Sequence, residues 1–164
     1  MSLQQIRTQI KQTFELADPG SLVHDFERFP DPTKPNDVKT LFQPQANGPF
    51  RAWIFRPTSR QQFVLSRDSV LVVRLFVVRL IHTVKDADAT EKTLWDSVIE
   101  PVCGAFLAHA ALGGFNWSPV ITAGPLDGTI GLQIDRVDYL VFGSVFCHYG
   151  EGRLAVQEMQ TINH

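Results

Sequence analysis

A long apolar stripe interrupted by a proline limits the folds that this chain can adopt more than any other sequence feature. Within residues 88–112, apolar side chains recur in adjacent pairs four positions apart, the period of one face of an α-helix. Asp88 and Glu91 fit an N-terminal capping box, and Gly113 begins a glycine pair suited to the helix end. Pro101 lacks an N–H, so we expect a kink there. The stretch predicts a central helix with one buried face.

The same stretch carries a resemblance to a known family. Leu94-Trp95 followed by Ile99-Glu100-Pro101-Val102 resembles the central helix of the lambda-type bacteriophage tail terminator proteins, in which a Trp precedes an Ile-x-Pro-Val segment. The order of elements around it is also similar: an N-terminal amphipathic helix, strands, a charged turn, this helix and closing strands. The motif is a packing feature and contains no functional residue of that family.

The resemblance implies a phage or prophage structural protein, not an enzyme. A tail terminator forms a homo-oligomeric ring, such as a hexamer, on the end of the tail tube. The ring stops tail polymerisation and offers the surface to which the head joins. The implied partners are further copies of the chain, the tail tube and head-completion proteins, with no cofactor. The implied location is the host cytoplasm during assembly and then the virion tail.

Length and charge limit the functions that the chain can have. Its 164 residues, 44% apolar and 20% charged, predict a single domain, residues 1–164, with one core. A net charge of −2 lacks the basic excess typical of nucleic-acid binding, so no direct nucleic-acid contact is expected. No apolar run resembles a signal peptide or a membrane span. The two cysteines, Cys103 and Cys147, are expected to be buried apolar groups, with a disulfide as the alternative.

The N-terminal part combines a clear helix with a segment of no period. Ser2 and Gln5 form a capping box before apolar residues spaced three and four apart, which predicts an amphipathic helix that ends at Leu16. Residues 21–29 are a candidate for a short strand. Residues 30–49 contain five prolines, and we expect a long loop or arm that could reach a neighbouring subunit.

Strand patterns precede the predicted central helix. Residues 50–56 alternate as a strand does, and Pro57 begins a break. Residues 70–81 are almost continuously apolar, which is typical of a central strand covered on both faces and long enough to enter an oligomer interface. Alternation places Arg74 and Arg79 of this run on opposite faces unless a bulge shifts the phase.

Further strands are predicted after the helix. Residues 115–128 have the composition of a loop, and residues 129–135 alternate as a half-buried strand. Residues 137–149 read as another extended run with Gly143 at a bulge or bend. Residues 153–164 are either a terminal edge strand or a mobile tail. The chain is therefore expected to be α+β, with a mixed, mainly antiparallel sheet of four to six strands and both helices on one face.

The histidines carry the only hint of a chemical site. None of the five has the spacing of a metal motif, and no nucleophile or phosphate-loop motif is present. His82 and His148 end two extended stretches and could meet in space, with Asp135 or Asp138 completing a site. Strand-end histidines that act only as polar caps are the simpler interpretation.

Two other functions therefore stay open. One is a small dimeric α+β ligand-binding protein or enzyme, with a pocket between helix and sheet. That pocket would lie near His82, His148, Trp95 and Tyr139. The other is a general interaction module that pairs with a partner through the proline-rich arm at residues 30–49.

Arginines interleaved with aromatic residues form the candidate interaction surface. This combination is typical of interface anchors and of surfaces for single-stranded nucleic acid, whereas solvated arginines on a hairpin are the ordinary alternative. The candidate residues are Arg51, Trp53, Arg56, Arg60, Arg67, Arg74 and Arg79.

Overall fold

A mixed sheet of five strands forms the centre of the fold. The computed structural model describes residues 2–25, 33–84, 87–108, 131–142 and 144–162. Its strands are β1 (Leu22–His24), β2 (Arg51–Ser66), β3 (Ser69–Thr83), β4 (Leu132–Phe142) and β5 (Val145–Thr161). Its helices are α1 (Leu3–Ala17), α2 (Pro35–Phe42), α3 (Ala87–Leu94) and α4 (Glu100–Ala108), with a π-helical turn at Trp95–Ile99. The predicted α+β class is confirmed.

The strands lie in the order β1-β2-β3-β5-β4. β1 is parallel to β2, and the other neighbouring pairs are antiparallel. The long apolar run at residues 70–81 is part of the middle strand, β3, as predicted. Because β3 pairs with β5 without a register shift, Arg74 and Arg79 point to opposite faces of the sheet.

The helix α1 and the central helix cover one face of the sheet. The predicted capping box is present: Ser2 Oγ accepts a hydrogen bond from the Gln5 N–H, and the Gln5 side chain accepts one from the Ser2 N–H. Ile6, Ile10 and Phe14 of α1 are fully buried. The amphipathic pattern of α1 therefore corresponds to packing on its own sheet.

The central helix is irregular where its proline predicted a kink. A π-helical turn precedes Pro101, and in it the Glu100 N–H bonds the Trp95 carbonyl, five residues back. A π-helical turn and a proline are both recognised causes of helix bending. Residues 109–112 of the predicted helix lie outside the described residues, as does the Asp88 side chain of the predicted cap.

The main core cluster lies between these helices and the sheet. Alternate residues of the strands supply one side, and the apolar stripes of α1 and the central helix supply the other. Its largest fully buried members are Phe14, Trp53, Phe55, Phe76, Leu80, Leu94, Ile99 and Phe106.

A second, smaller core cluster lies on the opposite face. The helix α2 packs there through Phe42, which is 1% exposed and contacts Phe50 and Phe142. The prediction of a continuous loop over residues 30–49 is therefore wrong at Pro35–Phe42, where a proline occupies a first-turn position that tolerates its missing N–H. Residues 30–32 lie outside the described residues.

The first strand predicted after the arm is longer than its sequence pattern indicated. β2 continues through Pro57 to Ser66, and the turn that follows contains Arg67. A register shift between Pro57 and Ser59 marks an irregularity where a residue without an N–H is tolerated within a sheet. Pro57 is therefore not the break that the sequence suggested.

The last two strands form a hairpin whose strand boundaries were predicted wrongly from the sequence. The run at residues 137–149 was expected to be one strand, but the chain reverses between Phe142 and Val145, where Ser144 has a positive φ of 71°. Residues 153–164 were expected to be an edge strand or a tail, and residues 153–161 belong to β5, which pairs with β3 as far as Thr161 and with β4 as far as Leu154. The loop predicted at residues 115–128 lies outside the described residues.

The cysteines occupy separate packing environments. Cys103 packs against the main core cluster, and Cys147 is fully buried in the second one. Both are free thiols, and burial raises the pKa of each to about 11. Of the helices that the structure describes, none is both long and apolar enough to cross a membrane.

Candidate functional site

Four polar side chains form a row across the sheet at the end of the main core cluster. Arg51 pairs with His82, His82 with His148, and His148 with Tyr139, each across neighbouring strands. Paired residues of antiparallel strands share a face, so all four point toward the helices. We call Arg51, His82, His148 and Tyr139 the polar row.

Asp18, just after α1, is the carboxylate at one end of the polar row. It is 1% exposed and accepts hydrogen bonds from the Arg51 guanidinium and from Trp53 Nε1, the latter at 2.9 Å. Each oxygen of the buried carboxylate therefore has a charged or polar donor, as a buried anion requires. The contact ties the end of α1 to β2.

The two histidines of the polar row are directly adjacent on β3 and β5. His82 Nδ1 donates a hydrogen bond to the Thr83 carbonyl oxygen at 3.1 Å. The pKa of His82 is lowered, chiefly by burial and also by the charge of Arg51, against the opposing effect of that hydrogen bond. His82 therefore favours the neutral form at pH 7.

His148 is more fully buried than His82 and makes fewer hydrogen bonds within the described residues. It is 1% exposed, and neither ring nitrogen has a hydrogen-bond partner within the described residues. Burial lowers its pKa, with Glu91 of α3 acting in the opposite direction. The Tyr139 ring lies 4.9 Å from the imidazole and stacks in turn on Phe146 at 5.3 Å. The imidazole is thus neutral and held by ring contacts.

The carboxylates predicted to join the histidines do not do so. Asp135 forms an ion pair with Arg153 at 3.4 Å, and Asp138 forms one with Arg136 at 3.6 Å. Asp138 pairs with Tyr149 on the face opposite His148, because neighbouring strand residues alternate. That part of the site prediction is wrong, whereas the meeting of the two histidines is confirmed. Trp95 packs against the main core cluster.

Four residues of the candidate interaction surface are buried or form ion pairs within the chain. Trp53 has no exposed surface, so the prediction of an exposed anchor is wrong for this residue in the single chain. The others form ion pairs with acidic side chains. These pairs are Arg51 with Asp18, Arg74 with Glu158 at 2.8 Å, and Arg79 with Glu151 at 3.5 Å.

The remaining three arginines lie along the outer part of β2 and its turn. Arg60 and Arg67 are exposed, and Arg56 is half-buried. Arg60 also pairs directly with Arg74 across β2 and β3, on the same face of the sheet. These side chains stay candidates for contact with a partner.

The outer parts of β2, β3 and β5 form a three-stranded part of the sheet. We call this part the sheet extension: residues 59–66 of β2, 69–75 of β3 and 155–161 of β5. Apolar side chains on it are unusually exposed, with Val64 at 79%, Met159 at 69% and Leu65 at 54%. Large apolar side chains in contact with water favour an interaction surface.

A groove opens on the second face of the sheet. It has a volume of about 360 Å³ and an apolar lining that includes Ile54, Ile81 and Phe142, with Arg79 and Tyr149 also contributing. The groove lies on the face opposite the polar row, because its strand residues have the other parity. Within the described residues, no cluster of three or more His, Cys, Asp or Glu side chains could hold a metal ion.

Comparison with known proteins adds no assignment. No protein-family model matches the chain, and no curated protein matches it significantly.

Sequence patterns missed the acidic members of these contacts. Asp18 stands before Pro-Gly and reads as a turn residue, and Glu158 lies in a stretch that read as an edge or tail. An indirect signal was present, since an arginine inside a buried strand, such as Arg74, requires an acidic partner. The pattern did not say which one.

Proposed function

We propose that the chain is a structural subunit of a phage or prophage tail, acting as a tail terminator. Copies of it form a ring on the end of the tail tube, stop tail polymerisation and offer the surface to which the head joins. The observation that carries this proposal is the sheet extension, whose exposed apolar side chains suit contact with other subunits. No cofactor enters this role.

The order of elements supports the same proposal. The chain has an N-terminal amphipathic helix, strands, a central helix and two closing strands, which is the order implied by the resemblance. Within the resembling segment, Leu94, Ile99 and Val102 are buried in the main core cluster, and Trp95 packs against it. The motif thus serves packing, so it supports the fold of the family more directly than its function.

The proposed action is mechanical. A ring of identical subunits requires two different surfaces on each copy, joined head to tail. A terminator also needs one surface for the tube and another for the head-joining proteins. These surfaces would bind their partners through complementary shape, apolar contact and charge. The charged residues that could contribute at the outer part of β2 are Arg56, Arg60 and Arg67.

The first test measures assembly. The purified protein is studied by light scattering and by negative-stain imaging across a wide concentration range, alone and with tail-tube subunits. We expect closed rings of one size and tubes whose growth stops when the protein is added. A monomer at every concentration, with no effect on tube length, would contradict the proposal.

A second candidate function rests on His148. A buried imidazole with neither nitrogen hydrogen-bonded within the described residues has capacity to bind a ligand that enters between helix and sheet. In this alternative, the protein binds a small polar molecule at His82 and His148. A metabolite panel that shifts the melting temperature of the wild type, but not of His148→Phe, would support it. An unresponsive wild type would exclude the ligands tested.

A further inference from the structure

The groove on the second face of the sheet has the size of a small-molecule site. Its volume is about 360 Å³, and pockets for small ligands range from about 300 to 1,000 Å³. Ile54, Ile81, Leu140 and Phe142 give it a mostly apolar lining. An apolar group that enters the groove leaves water, which favours its binding. The groove therefore suits a ligand with an apolar body.

An arginine without an acidic partner lies beside this groove. Arg56 follows Ile54 by two positions on β2, so both side chains are on the same face of the sheet. Arg56 is half-buried, and its buried Nε has no hydrogen-bond partner within the described residues. No ion pair in that part of the chain includes it. Because a partly buried charge is stabilised by an opposite charge, Arg56 can bind an anion.

The neighbouring arginines on this face already have acidic partners. The ion pairs join Arg79 to Glu151 at 3.5 Å, Arg136 to Asp138 at 3.6 Å and Arg153 to Asp135 at 3.4 Å. Arg56 is diagonal to Arg79 across β2 and β3, at a separation that long side chains can span. Because the paired charges balance, Arg56 adds one positive charge beside the groove, which matches one carboxylate.

An irregularity in β2 places a hydroxyl group on the same face. Residues three apart in a regular strand point to opposite faces. Arg56 and Ser59 instead share a face, because a register shift after Pro57 pairs them with Val77 and Leu75, two positions apart on β3. The Ser59 Oγ is buried and has no hydrogen-bond partner within the described residues. A hydroxyl and a guanidinium are both donors that a carboxylate can accept from.

We propose that this groove binds a small amphipathic carboxylate. The apolar body of the ligand lies against Ile54, Ile81 and Leu140. Its carboxylate binds the Arg56 guanidinium and accepts a hydrogen bond from Ser59 Oγ. The site is separate from the polar row, which lies on the opposite face of the sheet. The inference goes beyond the proposed function and does not depend on it, because binding requires no assembly.

Calorimetry with octanoate tests the proposal on the full chain. Octanoate has an apolar tail and a carboxylate, whereas 1-octanol has the tail alone. We expect octanoate to bind at least about ten-fold more tightly, the effect of one hydrogen bond to a charged group. Arg56→Gln should remove this preference. Arg60→Gln is the matched control and should retain it, because Arg60 lies on the opposite face of the same strand.

A second pair of variants tests the groove itself. Leu140→Asp places a charge in the apolar lining and should weaken the binding of both probes about ten-fold or more. Val141→Asp is its control and should bind as the wild type does, because Val141 is on the opposite face of β4. Both side chains are exposed, so both variants should fold, and circular dichroism checks this.

Three results would overturn the proposal: no binding of octanoate, equal octanoate affinity in the wild type and Arg56→Gln, or equal losses in Leu140→Asp and Val141→Asp. If octanoate does not bind but Arg56→Gln and Leu140→Asp both prevent ring formation, the groove contacts a protein segment instead. The ligand inference would then fail while the terminator proposal stands. Octanoate binding by a wild type that never assembles would have the reverse meaning.

Discussion

Arg74 on β3 and Glu158 on β5 form an ion pair at 2.8 Å with only 8% of each side chain exposed. Arg60 of β2 is the residue directly across from Arg74 on the other side of β3. Burial raises the pKa of Glu158, but hydrogen bonds to its carboxylate, including those from Arg74 and Gln160, outweigh this and lower it. The pair anchors the base of the sheet extension.

Glu158→Gln should destabilise the fold substantially. It leaves a buried guanidinium without its counter-charge, and breaking such a pair costs roughly 3 kcal/mol in free energy of unfolding. The measurement is urea denaturation at pH 7. Arg74→Met/Glu158→Leu is the control, since removing both charges together should cost far less. Equal losses in the single and double variants would contradict an electrostatic role.

Acid should weaken the same pair. A carboxylate whose folded pKa is depressed contributes stability that is complete above its usual value of 4.5 and is lost as the pH falls through the lower folded value. Below pH 4.5, the wild type should therefore lose more stability than Glu158→Gln does. Parallel stability curves for the two proteins in this range would contradict the assignment.

Asp18→Ala should cost more stability than Asp18→Asn. Alanine leaves Arg51 and the buried Trp53 Nε1 without their shared acceptor, a loss of roughly 3 kcal/mol. The asparagine side-chain oxygen can still accept from the indole, so we expect about half that loss. Urea denaturation followed by tryptophan fluorescence reports both values. Identical losses would show that only the charge matters.

The histidine pair should make stability fall between neutral and mildly acid pH. Burial lowers the folded pKa of His82 and His148 below the usual 6.5, so the unfolded chain binds protons first as the pH drops. Their contribution is complete above pH 6.5 and is lost as the pH falls through the lower folded values. Denaturation at pH 7.5, 6.5 and 5.5 measures this slope.

His148→Phe supplies the test of that slope, because phenylalanine preserves a ring against Tyr139 but cannot be protonated. The variant should show a weaker pH dependence between pH 7.5 and 5.5. His24→Gln, on β1 outside the polar row, is the comparison variant. A slope unchanged in His148→Phe would place its origin elsewhere.

Val64→Lys should impair assembly without unfolding the subunit. Val64 is 79% exposed, so its replacement should change the free energy of unfolding by less than about 0.5 kcal/mol. A charge on the sheet extension should raise the concentration needed for assembly about ten-fold, which corresponds to 1.4 kcal/mol. Leu16→Lys is the matched control, since Leu16 is 78% exposed on α1. Equal effects of both variants on sedimentation would indicate a non-specific loss.

Gly152→Ala should disrupt the pairing of β4 with β5. A Cβ at this position would lie 2.1 Å from the Gln133 carbonyl oxygen, so one strand must move. We expect a loss of more than about 3 kcal/mol, typical of overpacking against backbone. Gly104→Ala on α4 is the control: it meets no atom within 4 Å and should stabilise by about 0.5–1 kcal/mol. Chemical denaturation of both variants measures the contrast.

Periodic apolar patterns in the sequence predicted the helices and strands that have one or both faces buried. The spacing of Ile6, Ile10 and Phe14 placed α1 correctly, and the apolar run of β3 identified the middle strand. The Ser2–Gln5 capping box was also visible, because both partners lie within one helical turn. Such signals are local, since each depends on residues that are neighbours along the chain.

Contacts between segments that are distant in the sequence could not be predicted from such local patterns. Arg51 and Trp53 looked like surface anchors, yet Asp18, more than thirty positions earlier, binds both. His82 and His148 could be suspected of meeting only because both end extended stretches, and their aspartate partners were chosen wrongly. Sequence separation carries no information about which strands become neighbours.

The sequence by itself determined the α+β class, the first helix and the central position of β3, because each of these follows from a local period of burial. Tertiary structure alone decided that β5 lies between β3 and β4 in the strand order and that α2 covers the second face. The physical reason is that strand order and register arise from hydrogen bonds between distant segments. An interior strand and an edge strand can have the same alternation of apolar and polar residues.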